Sequence, residues 1–187
     1  MSKKRWILGA IIISILTLMI LTFNRAQSQG DTVKRGKYLV DAVGACGQCH
    51  TPRAGAEPDM RMYLAGHPAN APYPKYNISL IQQNIFMLTA PTLAAFSGPF
   101  GTTFAANLTP HNETGLGEWT EKMFIDAMRT GFHQGDKNNR RILPPMPKDA
   151  YANMSDADLK AMWAYLKSIK PVRNEVPAAL NRRGRPF

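Results

Sequence analysis

The 187-residue chain has little cysteine: Cys46 and Cys49, with no third sulfhydryl. That excludes a framework of several disulfides and a four-cysteine zinc site. Acidic residues are also scarce, thirteen against 23 basic ones, for a formal net charge of +10. The excess sits at the ends. Residues 1–30 hold Lys3, Lys4, Arg5 and Arg25 without one acid, and the last seven residues add Arg182, Arg183 and Arg185. Sixteen basic and thirteen acidic side chains remain in residues 31–180, a balance of only +3. A nucleic-acid binder gathers charge on one face of its fold, so no nucleic-acid partner is expected. Internal repeats are absent.

What is present begins with Trp6 to Phe23, eighteen residues without a charge. As helix they span about 27 Å, close to a hydrocarbon core of roughly 30 Å. Three basic residues before the run and a single Arg25 after it put the N-terminus in the cytoplasm. The expected layout is a cytoplasmic basic leader (1–5), an uncleaved transmembrane anchor (6–23), a linker (24–31), a folded domain (32–175) and a basic C-terminal tail (176–187). A cleaved signal peptide competes, because Ala26 and Ser28 are small residues in suitable register. Secretory apolar regions usually run about 7–15 residues, so eighteen favours the anchor. Both readings export the domain to a compartment that permits disulfides.

Helical spacing recurs in three places. Val33, Val40 and Val43 follow Asp31, which is suited to an N-cap. In "GEWTEKMFIDAMRTG", Thr120 can cap a helix whose stripe is Phe124, Ala127 and Met128, with Gly131 closing it. In "MSDADLKAMWAYLKSIKP", Ser155 and Asp158 resemble a capping box, Met154 and Leu159 a hydrophobic staple, and Leu159, Met162, Trp163, Leu166 and Ile169 a buried stripe. Between them, a loop insertion over about 54–106 is rich in proline and glycine. Its apolar "ISLIQQNIFMLTAPTLAAF" fits one or two short strands or a helical turn, and periodicity does not choose. The expected fold class is all-α, several short helices with long ordered loops behind one transmembrane helix. Such a chain needs something central to pack on.

"VGACGQCHTPR" supplies a candidate. A bare Cys-x-x-Cys in an exported domain suits a disulfide or thiol exchange, but that motif is expected near a βαβ pattern. A structural zinc site needs four ligands, which two cysteines do not reach without distant histidines. Covalent haem attachment uses Cys46, Cys49 and His50 together: each thiol adds to one vinyl group, and the histidine falls beneath the iron. One haem c is therefore expected, with His50 as one axial ligand.

The second axial position separates electron carrier from catalyst. Of ten methionines, Met1 is the initiator and Met19 lies in the apolar run. Met123, Met128 and Met162 belong to helical stripes, Met154 to the staple, and Met87 to an apolar segment. Met60 and Met62 follow His50 too closely. Met146 in "RRILPPMPKDAY" is flanked by Pro144, Pro145 and Pro147, which stiffen a strap around an otherwise flexible thioether. His67, His111 and His133 are rival ligands, each among turn-forming residues of the solvated kind.

"RGKYLVDAVGACGQCHTPR", "ANLTPHNETGLGEWT", "MRTGFHQG", "LPPMP" and "SDADLKAMWAYLKSIKPVRNEVP" follow one another in an order that resembles class I c-type cytochromes. More narrowly, residues 34–177 are similar to single haem modules in cytochrome c subunits of bacterial membrane-bound alcohol and gluconate dehydrogenases. The resemblance implies a cytochrome c-like haem domain, with His50 proximal and Met146 distal. It also implies that Gly36 lets the first helix cross the last near Trp163 or Tyr165, and that Asn107, Thr109 and Trp119 shape a loop beside the haem. Two departures stand out: such subunits usually carry three modules where this chain has one, and His111 replaces a common Asp.

The function expected is a membrane-anchored monohaem c-type cytochrome passing single electrons, as tethered shuttle or complex subunit, and not itself an enzyme. Its partners would be the membrane and redox proteins such as a membrane dehydrogenase, a quinol-oxidising complex or a terminal oxidase, without a small-molecule substrate. It would sit at the bacterial cytoplasmic membrane, haem domain on the periplasmic side. The alternative is a haem enzyme or gas sensor with an open sixth site, peroxidase-like.

Overall fold

The computed structural model describes the backbone of residues 3–83 and 85–187, with side chains for all of these except 3–13, 24 and 81. Helix α1 (Lys3–Tyr38) is continuous. No proline interrupts it, and Gly30 alone does not stop it, so Asp31 caps nothing. One π-helical turn (Leu39–Val43) then leads to α2 (Gly47–His50). Further helices are α3 (Ile78–Gln82), α4 (Glu121–Thr130), α5 (Lys148–Ala152) and α6 (Asp156–Ser168).

Two expectations fall here. The fold is not all-α, because the described residues form two antiparallel sheets beside six helices. Strands β1 (Arg53–Ala54) and β2 (Glu57–Pro58) make one; β3 (Leu88–Thr89), β4 (Ala95–Gly98) and β5 (Gly101–Phe104) make the other. The ambiguous apolar segment holds a short helix and two strands in succession. Thr102, Thr103 and Phe104 suit a pleated surface, and Gly98 and Gly101 bound the reversal that pairs β4 with β5.

The transmembrane helix is the second correction. Among the described residues no helix is long and apolar enough to cross a membrane. The apolar stretch with described side chains, Ser14–Phe23, is ten residues, about 15 Å of helix and half a hydrocarbon core. The side chains of the leader 1–5 and of 6–13 lie outside the described residues. Beyond Phe23 the helix carries Arg25, Asp31, Lys34, Arg35 and Lys37.

The main core lies where α1, the π turn, α4 and α6 meet. Leu39, Val40, Cys46, Leu64, Leu116, Phe124, Leu159, Met162, Trp163 and Leu166 are buried together. At Gly36 the helices α1 and α6 touch backbone to backbone: a Cβ there would overlap the Ala161 carbonyl oxygen and lie 2.8 Å from Tyr165 Cβ. The caps follow the pattern in part. Thr120 Oγ1 accepts from Met123 N at 3.1 Å, and Gly131 ends α4 left-handed at φ 71°. Ser155 Oγ accepts from Asp158 N at 3.1 Å, but no reciprocal box forms, because Arg35 of α1 holds the Asp158 carboxylate at 2.9 Å. A smaller core of Ala90, Ala95 and Phe104 packs under Val176 and Leu180, and Leu180 bonds back to Thr102. The C-terminal segment is thus fixed to the sheet rather than a free tail.

Gly36→Ala should lower stability by roughly 1–3 kcal/mol or more, since neither backbone at the crossing can yield cheaply. Gly30→Ala in the same helix meets nothing within 4 Å and should stabilise by about 0.5–1 kcal/mol. Thermal denaturation of the two variants beside the parent checks the pair; equal effects would remove the crossing from the account.

Candidate functional site

The chain enters the site through the π turn, where Gly44 N donates to Leu39 O and Cys46 N to Val40 O. Ala45, at φ 47°, takes the left-handed conformation that a non-glycine residue seldom adopts, and this reverses the chain just before Cys46. His50 N donates to Cys46 O at 2.9 Å and Thr51 N to Gly47 O at 3.1 Å. Cys46, Cys49 and His50 therefore share one helical turn, with the thiols at i and i+3 on one face. Both are free thiols, Cys46 buried and Cys49 half-buried. Burial pushes the Cys46 thiol up to about 11, opposed by the neighbouring Tyr151 hydroxyl, and burial also raises Cys49. Neither resembles the depressed thiol of an exchange site.

His50 is 8% exposed. Its Nδ1 lies 2.8 Å from the Ala106 carbonyl oxygen. A carbonyl only accepts, so Nδ1 carries the proton and Nε2 presents a lone pair. No described group bonds Nε2, and no buried side-chain nitrogen or oxygen among the described residues lacks a partner. Nε2 therefore opens onto reachable space. Burial holds the ring below the usual histidine range, against the Ala106 bond, which favours the neutral form that a metal requires. Gly66 secures the arrangement: at φ 80° its N donates to His50 O at 2.8 Å, and a Cβ would overlap the Ala105–Ala106 backbone.

Asn107 organises the loop that follows. Its Oδ1 accepts from Thr109 N and Oγ1 at 2.9 and 2.7 Å, and its Nδ2 donates to Val172 O at 2.8 Å. Lys167 Nζ donates to Leu116 O and Gly117 O at 3.2 and 2.7 Å. Trp119 meets the His133 ring edge-on, centroids 5.1 Å apart.

Met146 lies apart in sequence, half-buried, its N donating to Leu143 O at 3.3 Å and its carbonyl accepting from Lys148 N at 2.8 Å. The strap is moored at both ends. Ile142 N donates to Gly131 O, and five residues past Met146 the Tyr151 hydroxyl donates to Gly44 O at 2.9 Å while contacting Cys46. The cysteine turn and the helix after the strap are thus in direct contact. Burial, with Cys46 adding to it, pushes the Tyr151 phenol up to about 12.

The rival histidines are not free solvated ligands. His67 is fully buried, its Nε2 donating to Ala71 O at 3.2 Å and its Nδ1 facing Thr92 Oγ1 at 3.3 Å. His111 Nδ1 accepts from Thr114 N at 3.3 Å and meets its hydroxyl at 3.0 Å. His133 is half-buried against Trp119. Among the described residues no three His, Cys, Asp or Glu side chains gather as a metal-holding group, which disfavours a zinc centre built from those types. Sequence reading misses Ala106, Gly66 and Tyr151. A backbone acceptor leaves no mark in side-chain patterns, and a lone glycine or tyrosine has no period.

The cysteine–histidine turn with its oriented ring can now be set beside known proteins. No protein-family model matches the chain. Over 181 residues it is 29% identical to the gluconate 2-dehydrogenase cytochrome c subunit of Pantoea cypripedii, covering 91% of this chain and 33% of that one. The quinone-dependent alcohol dehydrogenase cytochrome c subunit of Gluconobacter oxydans is likewise 29% identical, covering 94% and 30%. This chain is similar to c-type cytochrome subunits of dehydrogenases. The fructose dehydrogenase cytochrome subunit of Gluconobacter japonicus is 28% identical over 148 residues, covering 79% of this chain and 23% of that one. The chain spans about a third or less of the length of these curated relatives.

Two outcomes follow. Tyr151→Phe keeps the ring but loses the bond to Gly44 O, and should lower the denaturant midpoint by the equivalent of about 0.5–1.5 kcal/mol at unchanged slope. Burial, against the Ala71 bond, depresses His67, so its neutral form favours the fold. That contribution is present above the unfolded value of about 6.5 and is lost as pH falls through it toward the lower folded value. His67→Gln should flatten the stability–pH curve below about pH 6.5; an unchanged slope would remove His67 from the acid response.

Proposed function

We propose that this chain carries one covalently attached haem c and passes single electrons as the cytochrome subunit of a dehydrogenase complex. The observation that carries the reading is the His50 ring, held by Ala106 through Nδ1 with Nε2 left without a partner among the described residues, directly behind two free thiols on the same helical turn. The donor set fits the group: Cys46 and Cys49 for two thioether bonds, His50 Nε2 and the Met146 sulfur for iron. Bound there, the haem would alternate between ferrous and ferric iron without exchanging atoms with a substrate. The protein's part is to hold the imidazole in one tautomer and to stiffen the thioether strap through Pro144, Pro145 and Pro147.

Likeness to cytochrome c subunits over most of the chain supports electron transfer with a protein partner. A single Cys-x-x-Cys-His in these 187 residues supports one haem for the segment. The folded body works on the exported, periplasmic side, a placement supported by Lys3, Lys4 and Arg5 preceding an uncharged run.

The test is an optical titration of the purified protein. One haem per chain should remain after acid–acetone extraction, and the ferric form should show the weak far-red band of methionine ligation. Met146→His should abolish that band with the haem retained. A colourless protein would refute the reading. A high-spin ferric parent whose ferrous form takes up carbon monoxide freely would instead make it an open-site haem protein.

A further inference from the structure

On the sheet side, away from the cysteine turn in sequence, the last residues form a built basic edge. Asn181 closes a turn: its N donates to Arg185 O at 2.8 Å, its Oδ1 accepts from Arg183 N at 2.9 Å and from Arg185 N at 3.3 Å, and its carbonyl accepts from Gly184 N at 2.8 Å. The turn is anchored at Leu180, which exchanges backbone hydrogen bonds of 2.8 Å with Thr102 of β5. The backbone is thus pre-organised while the guanidinium groups project from it. Arg182, Arg183 and Arg185 are exposed, and none makes an ion pair among the described residues. With Asn181, Tyr76 and Ile78 they line an open cavity of about 560 Å³ that contains no acidic side chain. Ile78 is exposed, and so are Ile85, Phe86 (66%) and Met87 on the segment that leads from α3 to β3.

We propose that this cavity is the docking site for an acidic segment of a partner protein. That the partner is the electron donor or acceptor rests on the functional reading above; the docking chemistry does not. Three unpaired guanidinium forks beside an aromatic ring and an aliphatic side chain match the make-up of protein-interface anchors, in which arginine and tyrosine dominate. Guanidinium pairs carboxylates through two parallel hydrogen bonds, and the half-buried Tyr76 ring with the exposed Ile78 selects for carboxylates carried on a polypeptide with apolar neighbours. With the central body only slightly basic, the positive field of this end stands out and steers an acidic partner to it.

The test uses the full chain with an acidic peptide of alternating Glu and Leu as probe, a poly-glutamate peptide of equal charge, and phosphatidylglycerol vesicles. The triple variant Arg182→Glu, Arg183→Glu, Arg185→Glu should bind the Glu–Leu peptide at least tenfold more weakly than the parent. A control of equal charge change elsewhere, Lys122→Glu, Lys160→Glu, Lys170→Glu, should lose less than threefold. Ile78→Ser should weaken the Glu–Leu peptide but not poly-glutamate. Equal losses in both triple variants would reduce the effect to net charge and overturn the proposal. Tighter binding of the vesicles than of the peptide, lost in the arginine variant, would make the surface a lipid site and overturn it as well. The haem spectrum of each variant is recorded alongside: a normal spectrum with no peptide binding sinks the docking site alone, whereas a chain without haem sinks the functional reading alone.

Discussion

One hydrogen bond organises the candidate site: His50 Nδ1 to the Ala106 carbonyl. It fixes which ring nitrogen carries the proton, and with that which nitrogen is left to bind a metal. The acceptor is a backbone atom of a segment 56 residues away, so the ring's orientation depends on how two distant stretches are held together. Gly66 is the hinge of that contact, bonding His50 O with its amide and leaving no side chain between itself and Ala105–Ala106. His67 N then donates to Ala105 O, and Leu108 N to Leu64 O. The segment 64–67 is clamped along 105–108 with the histidine beneath it.

This clamp gives the long insertion a structural role. Its hairpin β4–β5 runs directly into Ala105 and Ala106, so the sheet determines where the Ala106 carbonyl stands. Buried polar side chains finish the frame in place of regular structure. Asn174 Nδ2 donates to Ala65 O at 2.7 Å and to His67 O at 2.9 Å, which ties the C-terminal segment to the same clamp. Each buried carbonyl left unpaired would cost about 1–3 kcal/mol, so the Asn107 and Asn174 bonds define the loop path more sharply than apolar packing alone.

Legibility in the sequence divides along physical lines. Helices α4 and α6 are readable because their buried faces repeat at about 3.6 residues and their caps are local: Thr120, Gly131 and Ser155 act within a turn of themselves. The Cys46–Cys49–His50 constellation is equally local. The rest is not. Asp158 has the spacing of a capping partner, yet Arg35, 123 residues away, takes its carboxylate. His67 has turn-forming neighbours in sequence, yet Phe104 of β5 and Tyr73 of the loop before α3 enclose it, ring centroids 5.2 and 6.5 Å away. Strands β1, β2 and β5 escape, and β3 and β4 stay one alternative beside a helical turn, because each is four residues or fewer, too short for an alternation to show. The N-terminal run misleads for another reason: hydropathy counts eighteen uncharged residues, whereas the helix carries on into a charged half that crosses α6 at Gly36.

That continuity bears on how the molecule is divided. The residues of α1 beyond Asp31 pack Val33 into the main core and pair Arg35 with Asp158. The N-terminal helix is therefore a structural member of the cysteine–histidine half, and a change in its direction would be felt at the α1–α6 crossing. The C-terminal segment does the same on the sheet side, where Leu180 joins the second small core and pairs with Thr102. The part of α1 beyond Asp31 and the C-terminal segment are thus built into the body, one against each half. The excess positive charge that the sequence shows as two loose ends accordingly includes, at Arg182, Arg183 and Arg185, exposed side chains that project from a backbone turn held to the sheet through Leu180.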